Sequence, residues 1–140
     1  MSVEVNFLAV ALAVVAQFVL GAFWYGPMLF GKQWMKFNDC EGLSKAELEK
    51  MQKAMSPFYG LQLFITIVTT LVLALFIQAL PMLSPFAIAS FIWLGFVVPT
   101  QISSVIWGKD ERKYFLLKLS IMAANAFISL MLAALILNLL

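Results

Sequence analysis

The chain has 140 residues, 64% of them hydrophobic and 11% charged, with a net charge of +2. A soluble domain carries about 25% charged residues, so this surface is too apolar for water and belongs in lipid. The small net charge argues against a nucleic-acid partner. The absence of His removes the commonest general base and the commonest metal ligand.

In chain order, the N-terminus Met1-Ser-Val-Glu-Val-Asn6 has no basic residue ahead of its apolar run. A signal peptide wants a positive leader and a small-residue cleavage site, so residues 5–24 are expected to be a retained first membrane span. The span runs into Gly21-Ala-Phe-Trp-Tyr-Gly-Pro-Met-Leu-Phe-Gly-Lys-Gln-Trp34. Here Gly26-Pro27 is expected to break the helix, because proline lacks the amide donor and restricts its predecessor. Trp24 and Tyr25 are read as an aromatic belt at headgroup depth. Phe30, Trp34 and Phe37 share one face of a following helix, with Lys32 and Lys36 opposite, the pattern of an interfacial helix in contact with membrane lipids.

Further on, Leu43-Ser-Lys-Ala-Glu-Leu48 has the signature of a capping box, with Ser44 as N-cap and Glu47 at the third position. It predicts a short amphipathic helix carrying Leu48, Met51 and Met55, ending near Pro57. The connection 26–57 is thus expected to hold two amphipathic interfacial helices. Cys40, alone and flanked by Asp39 and Glu41, reads as inert.

Three more stretches are long and apolar enough to span: 58–80, 85–107 and 114–139. Pro99 marks a second expected helix break. Lys118 lies close enough to the end of the fourth span to snorkel. The expected fold is therefore an all-α integral membrane protein with four transmembrane helices, one membrane domain over residues 1–140. The nine basic residues all fall in or beside the first and third connections. The positive-inside rule then puts those connections in the cytoplasm and both termini outside.

No Asp, Glu, Lys or Arg occupies the middle of a span, whereas uncharged polar residues cluster on faces. Gln17 sits in the first, Thr66 and Thr69 share a face of the second, Gln101 and Ser104 of the third, and Asn125 lies in the fourth. Two readings stand. The side chains are interhelical glue, each worth about 0.6 kcal/mol, or they line a polar vestibule to which Pro99 adds a freed carbonyl.

Three segments also resemble a known bacterial family, domain-of-unknown-function family 1761. They are Val5-Asn-Phe-Leu-Ala-Val10, the Gly21-x-x-Trp24-Tyr25-x-Pro27-x-x-Phe30-Gly31-Lys32-x-Trp34 pattern, and Trp93-Leu-Gly-Phe96 ahead of Pro99-Thr100. The resemblance covers nearly the whole chain and implies a small four-span membrane protein of no assigned activity, so no functional residue carries over. It also implies a His in the last helix of many members; this chain has none.

The expected function is that of a small polytopic membrane protein, transporter- or channel-like for a neutral or weakly polar solute. The alternative is a non-transporting protein that binds lipid or a partner through its amphipathic connection. No cofactor or metal is expected, and an enzyme is the least favoured class. A chain this short has little interior, which points to a homo-oligomer, with a dimer favoured.

Overall fold

The computed structural model describes residues 4–26, 29–37, 42–108 and 114–140, and only the backbone of Trp34, Lys36 and Phe37. Pro27, Asp39, Cys40, Glu41, Lys109, Arg112 and Lys113, and the side chains of Trp34, Lys36 and Phe37, lie outside the described residues. Within them the protein is all-helical. The order is α1 (Phe7–Trp24), α2 (Gly31–Phe37), α3 (Lys45–Ala79), α4 (Pro85–Ile92), a π-helical turn (Trp93–Val97), α5 (Val98–Trp107) and α6 (Phe115–Leu139). Four helices are long and apolar enough to cross a membrane: α1, α3, the α4–π–α5 unit and α6. This is a multi-pass membrane protein.

Local chemistry sets the helix starts. Asn6 caps α1 by accepting from the Ala9 amide at 3.1 Å, and Ser84 caps α4 by accepting from the Ala87 amide at 3.1 Å. Pro85, at the first helical position, has no amide that needs a partner. The Ser44–Glu47 capping box forms in both directions, with each bond 3.2 Å long. Gly42 just before it adopts φ 81°, a left-handed turn open to glycine.

Two boundaries differ from the sequence reading. The helix that starts at Ser44 does not end near Pro57. It continues without interruption into the second span, making one helix of 35 residues with Pro57 inside it. An interior proline leaves the carbonyl four residues earlier without its amide. That residue is Lys53, which is exposed, so solvent can take the bond. The second amphipathic connection helix is thus not a separate element.

Nor does Pro99 break the third span. The strain is absorbed one turn earlier, where residues 93–97 widen into a π-helical turn closed by the Val98 amide on the Trp93 carbonyl. Such bulges accommodate one surplus residue without ending a helix. The Thr100 hydroxyl donates to the Phe96 carbonyl at 2.6 Å beside it.

The tightest packing lies at the end away from the lysines, called here the far end. Ala13, Leu73, Ile88, Ala89, Leu130, Ala133 and Ala134 form one buried cluster drawn from all four spans. Four of the seven are alanines, and small side chains let helix backbones approach where lipid offers no hydrophobic drive. The two chain ends meet here, the Asn6 carboxamide donating to the Leu140 carbonyl at 3.3 Å and the Gln78 carboxamide to the Glu4 carbonyl. α6 touches α1, α3, α4 and α5 and is the central helix of the assembly.

Candidate functional site between the first, third and fourth spans

The fold positions the site through a mismatch of lengths. With their far ends joined through Asn6 and Leu140, α1 has 18 residues and α6 has 25. At 1.5 Å per residue, α1 therefore stops about 10 Å short of the end of α6. Its last turn lies against the flank of α6, inside the protein.

The residues expected to form an aromatic belt sit at this point and do something else. Trp24 is buried, and its indole N–H donates to the Ile121 carbonyl of α6 at 3.1 Å. Tyr25 pairs with the Asn125 side chain one turn further along α6. The chain then reverses in a tight loop. The Phe30 amide donates to the Trp24 carbonyl at 3.0 Å and the Gly31 amide to the Gly26 carbonyl at 2.9 Å. The Phe30 ring packs on Trp24 with centroids 5.0 Å apart. A Cβ on Gly31 would stand 2.6 Å from the Gly26 backbone, so only glycine closes this loop. The reading of Trp24 and Tyr25 as headgroup anchors is therefore corrected: an indole N–H at the end of the shorter helix, buried against the longer one, needs an acceptor, and α6 supplies it. Lys32 is exposed on α2 as expected, and Phe30 is half-buried in the loop.

Trp24 is not the sole side chain bonded to the α6 backbone. The Gln101 carboxamide reaches the Met122 carbonyl at 3.4 Å, and the Trp93 indole donates to the Ala123 carbonyl at 2.8 Å. Trp93 also meets Phe127 edge-on, centroids 4.9 Å apart. Three consecutive carbonyls, Ile121 to Ala123, thus receive donors from the first and third spans. Successive residues project about 100° apart around a helix, so α6 is held from several directions at one level.

The other polar residues divide. Gln17 donates to the Thr70 hydroxyl at 2.9 Å and to the Ala13 carbonyl at 3.1 Å, tying α1 to α3. Thr66 is buried, donating to the Gln62 carbonyl at 2.8 Å, and Thr70 donates to the Thr66 carbonyl at 2.7 Å. Thr69, expected on this face, is exposed, and Thr70, one residue on, holds the buried place. Both spacings from Thr66 fit a helix face; the crossing of α1 selects the second. Ser104 is exposed as well. It lines an open groove on the outer side of α5 with Pro99, Thr100, Ser103 and Trp107, away from the other polar residues. Pro99 itself belongs to this outer face.

Two oxygens stand apart. Gln101 Oε1 and Asn125 Oδ1 are buried and accept no hydrogen bond among the described residues. Turning either amide over would only exchange the unpartnered oxygen for an unpartnered nitrogen. In an apolar medium, an unpaired amide group costs roughly 2–7 kcal/mol, so two within one turn of the Met122 level form a polar centre that asks for donors. Among the described residues no group of His, Cys, Asp or Glu could hold a metal ion.

The chain belongs to the family described as protein of unknown function (DUF1761), which matches residues 8–138. No curated protein and no solved structure matches it.

Proposed function

We propose that this member of the DUF1761 family is a small transporter- or channel-like protein of the bacterial cell membrane, carrying a neutral or weakly polar solute. The observation that supports this reading is the pair of buried carboxamide oxygens, Gln101 Oε1 and Asn125 Oδ1, left without donors. Both are acceptors, so the solute they suit is a hydrogen-bond donor. No ionised side chain shares the centre, which favours an uncharged one.

The approach is from the lysine-bearing end. There α1 stops short, and residues 49–65 of α3 are exposed on every face. By the positive-inside rule this end is cytoplasmic and both termini are outside. Trp24 and Tyr25 lie beside the centre, both pinned to α6. The centre needs no cofactor and performs no covalent chemistry.

Reconstituted liposomes test the reading, with glycerol and urea as probe solutes. Vesicles holding the protein should reswell faster than protein-free vesicles in stopped-flow light scattering. Asn125→Leu and Gln101→Leu should each return the rate to the protein-free value while leaving a monodisperse helical protein. Equal rates with and without protein would overturn the proposal.

A second reading rests on a different observation. The turn before α2, α2 itself and the first 13 residues of α3 expose Leu29, Met35, Met51 and Met55 beside lysines. That surface suits a non-transporting role in binding anionic lipid or a partner. Lipid retained through purification, with no solute flux, would favour it.

A further inference from the structure

The half of α3 nearest the lysines is not covered by any of the described residues. A helix packed on one side buries every third or fourth residue, yet residues 49–65 are exposed without exception. Length accounts for part of this. The last charge is Lys53, so about 20 Å of helix, residues 45–57, lies beyond the apolar stretch. An isolated helix of that length is marginal in water.

The exposed face has a period. Leu48, Met51, Met55 and Phe58 recur at alternating steps of three and four, the 3.5-residue repeat of a seam between two helices. The same steps continue through Ile65 and Val72, and all of these but Leu48 are exposed. The adjoining side, about a quarter turn around the helix, carries Thr66, Thr70, Leu73 and Ala74, which are buried against the other helices. The seam therefore runs beside the packed side, and from Met51 to Val72 its residues stay exposed. Pro57 and Gly60 fall off it, and so do Glu49, Lys50 and Lys53.

Two seam positions are polar. Gln62 and Thr69, seven residues apart, sit in the apolar stretch and are exposed. The Gln62 carboxamide nitrogen donates to the Thr66 hydroxyl at 3.3 Å, and its oxygen takes no bond among the described residues. Lipid tails cannot satisfy it. A carboxamide is both donor and acceptor, so its best partner at the same depth is an identical carboxamide. A second copy inserted in the same orientation supplies one. Because the charged residues lie off the seam, such a pairing brings no like charges together.

We propose that α3 of one chain packs along α3 of a second copy. The two helices run parallel about a two-fold axis normal to the membrane, with Gln62 paired to its counterpart.

The test uses the full chain in membranes, with Cys40→Ser and single cysteines added along α3. Met55→Cys, Phe58→Cys and Ile65→Cys should form disulfide-linked dimers on mild oxidation. Lys53→Cys and Gly60→Cys, off the seam, should give yields at least about fivefold lower. Adding Gln62→Leu to Phe58→Cys should cut the dimer yield about threefold to tenfold, while Gln52→Leu leaves it unchanged. Equal yields at all five positions, or none at any, would assign this face to lipid or to the chain's own first connection and overturn the proposal. A dimer indifferent to Gln62→Leu would overturn the carboxamide pairing.

Discussion

The two ends of this protein are held together by different forces. At the far end, alanines and a few larger side chains from all four spans interlock with almost no exposed surface. Toward the lysines, one long helix stands clear of the rest, and α6 is fixed by the Trp24, Gln101 and Trp93 side chains on its backbone carbonyls. The first kind of contact depends on shape and is intolerant of added volume. The second depends on single hydrogen bonds, each worth about 0.5–1.5 kcal/mol, and leaves room between them. A membrane protein that must admit a solute needs one end that stays closed and another that can open, and low local contact density is where opening is least costly.

Added volume should separate the two ends most clearly. Ala133→Leu places three carbons where there is no free surface, and about 3 kcal/mol or more of destabilisation is expected. Thermal unfolding in mild detergent should show a large fall in Tm, whereas Ala54→Leu on the exposed part of α3 should leave Tm unchanged. Comparable falls for both would erase the distinction between the ends.

Next in size is Gly31→Ala. The new Cβ would meet the Gly26 backbone at 2.6 Å, and backbone cannot move aside as a flexible side chain does. Opening the loop should cost about 1–3 kcal/mol and free Trp24, read as a red shift of tryptophan emission relative to the parent protein. An unshifted spectrum would mean that the loop does not hold Trp24 in place.

The smallest effect is expected from Gln17→Leu, which removes the bond to Thr70 between α1 and α3. In lipid, such bonds average about 0.6 kcal/mol, so Tm should fall by only a degree or two. A larger loss would show that the α1–α3 contact depends on its polar bridge more than on the packing of Val10, Val14 and Ala74 around it.

The four spans were legible because each needs about 20 apolar residues, and the ends of three of them match the sequence reading within two residues. The caps at Ser44, Ser84 and Asn6 follow from local chemistry alone. The prolines were harder. Pro57 and Pro99 carry the same local signal as a helix stop, yet one is read through in an exposed segment and the other is absorbed by a π-helical turn. A proline's cost depends on what else can satisfy the freed carbonyl, and that is not written nearby in the chain.

The candidate site was legible only in part. Gln101 and Asn125 were visible as rare polar residues in apolar runs, and Gln17 with Thr66 likewise. Thr69 and Thr70 could not be told apart, because both lie on a face shared with Thr66 and only the crossing of α1 decides between them. Trp24, Tyr25 and the paired glycines had a sufficient explanation as a helix end. Nothing in their order reveals that the end lies beside the middle of another helix.

By itself, then, the sequence determined the solvent, the number of spans, the helix starts and the side that carries positive charge. These follow from composition, from length and from hydrogen bonds made within a few residues. The tertiary structure decided which polar groups meet and where α1 ends relative to α6. Those outcomes rest on contacts between residues roughly 50–130 positions apart in the chain, Gln17 with Thr70, Trp24 with Ile121 and Asn6 with Leu140 among them. Their energies depend on crossing angle and depth, which no local pattern of residues encodes.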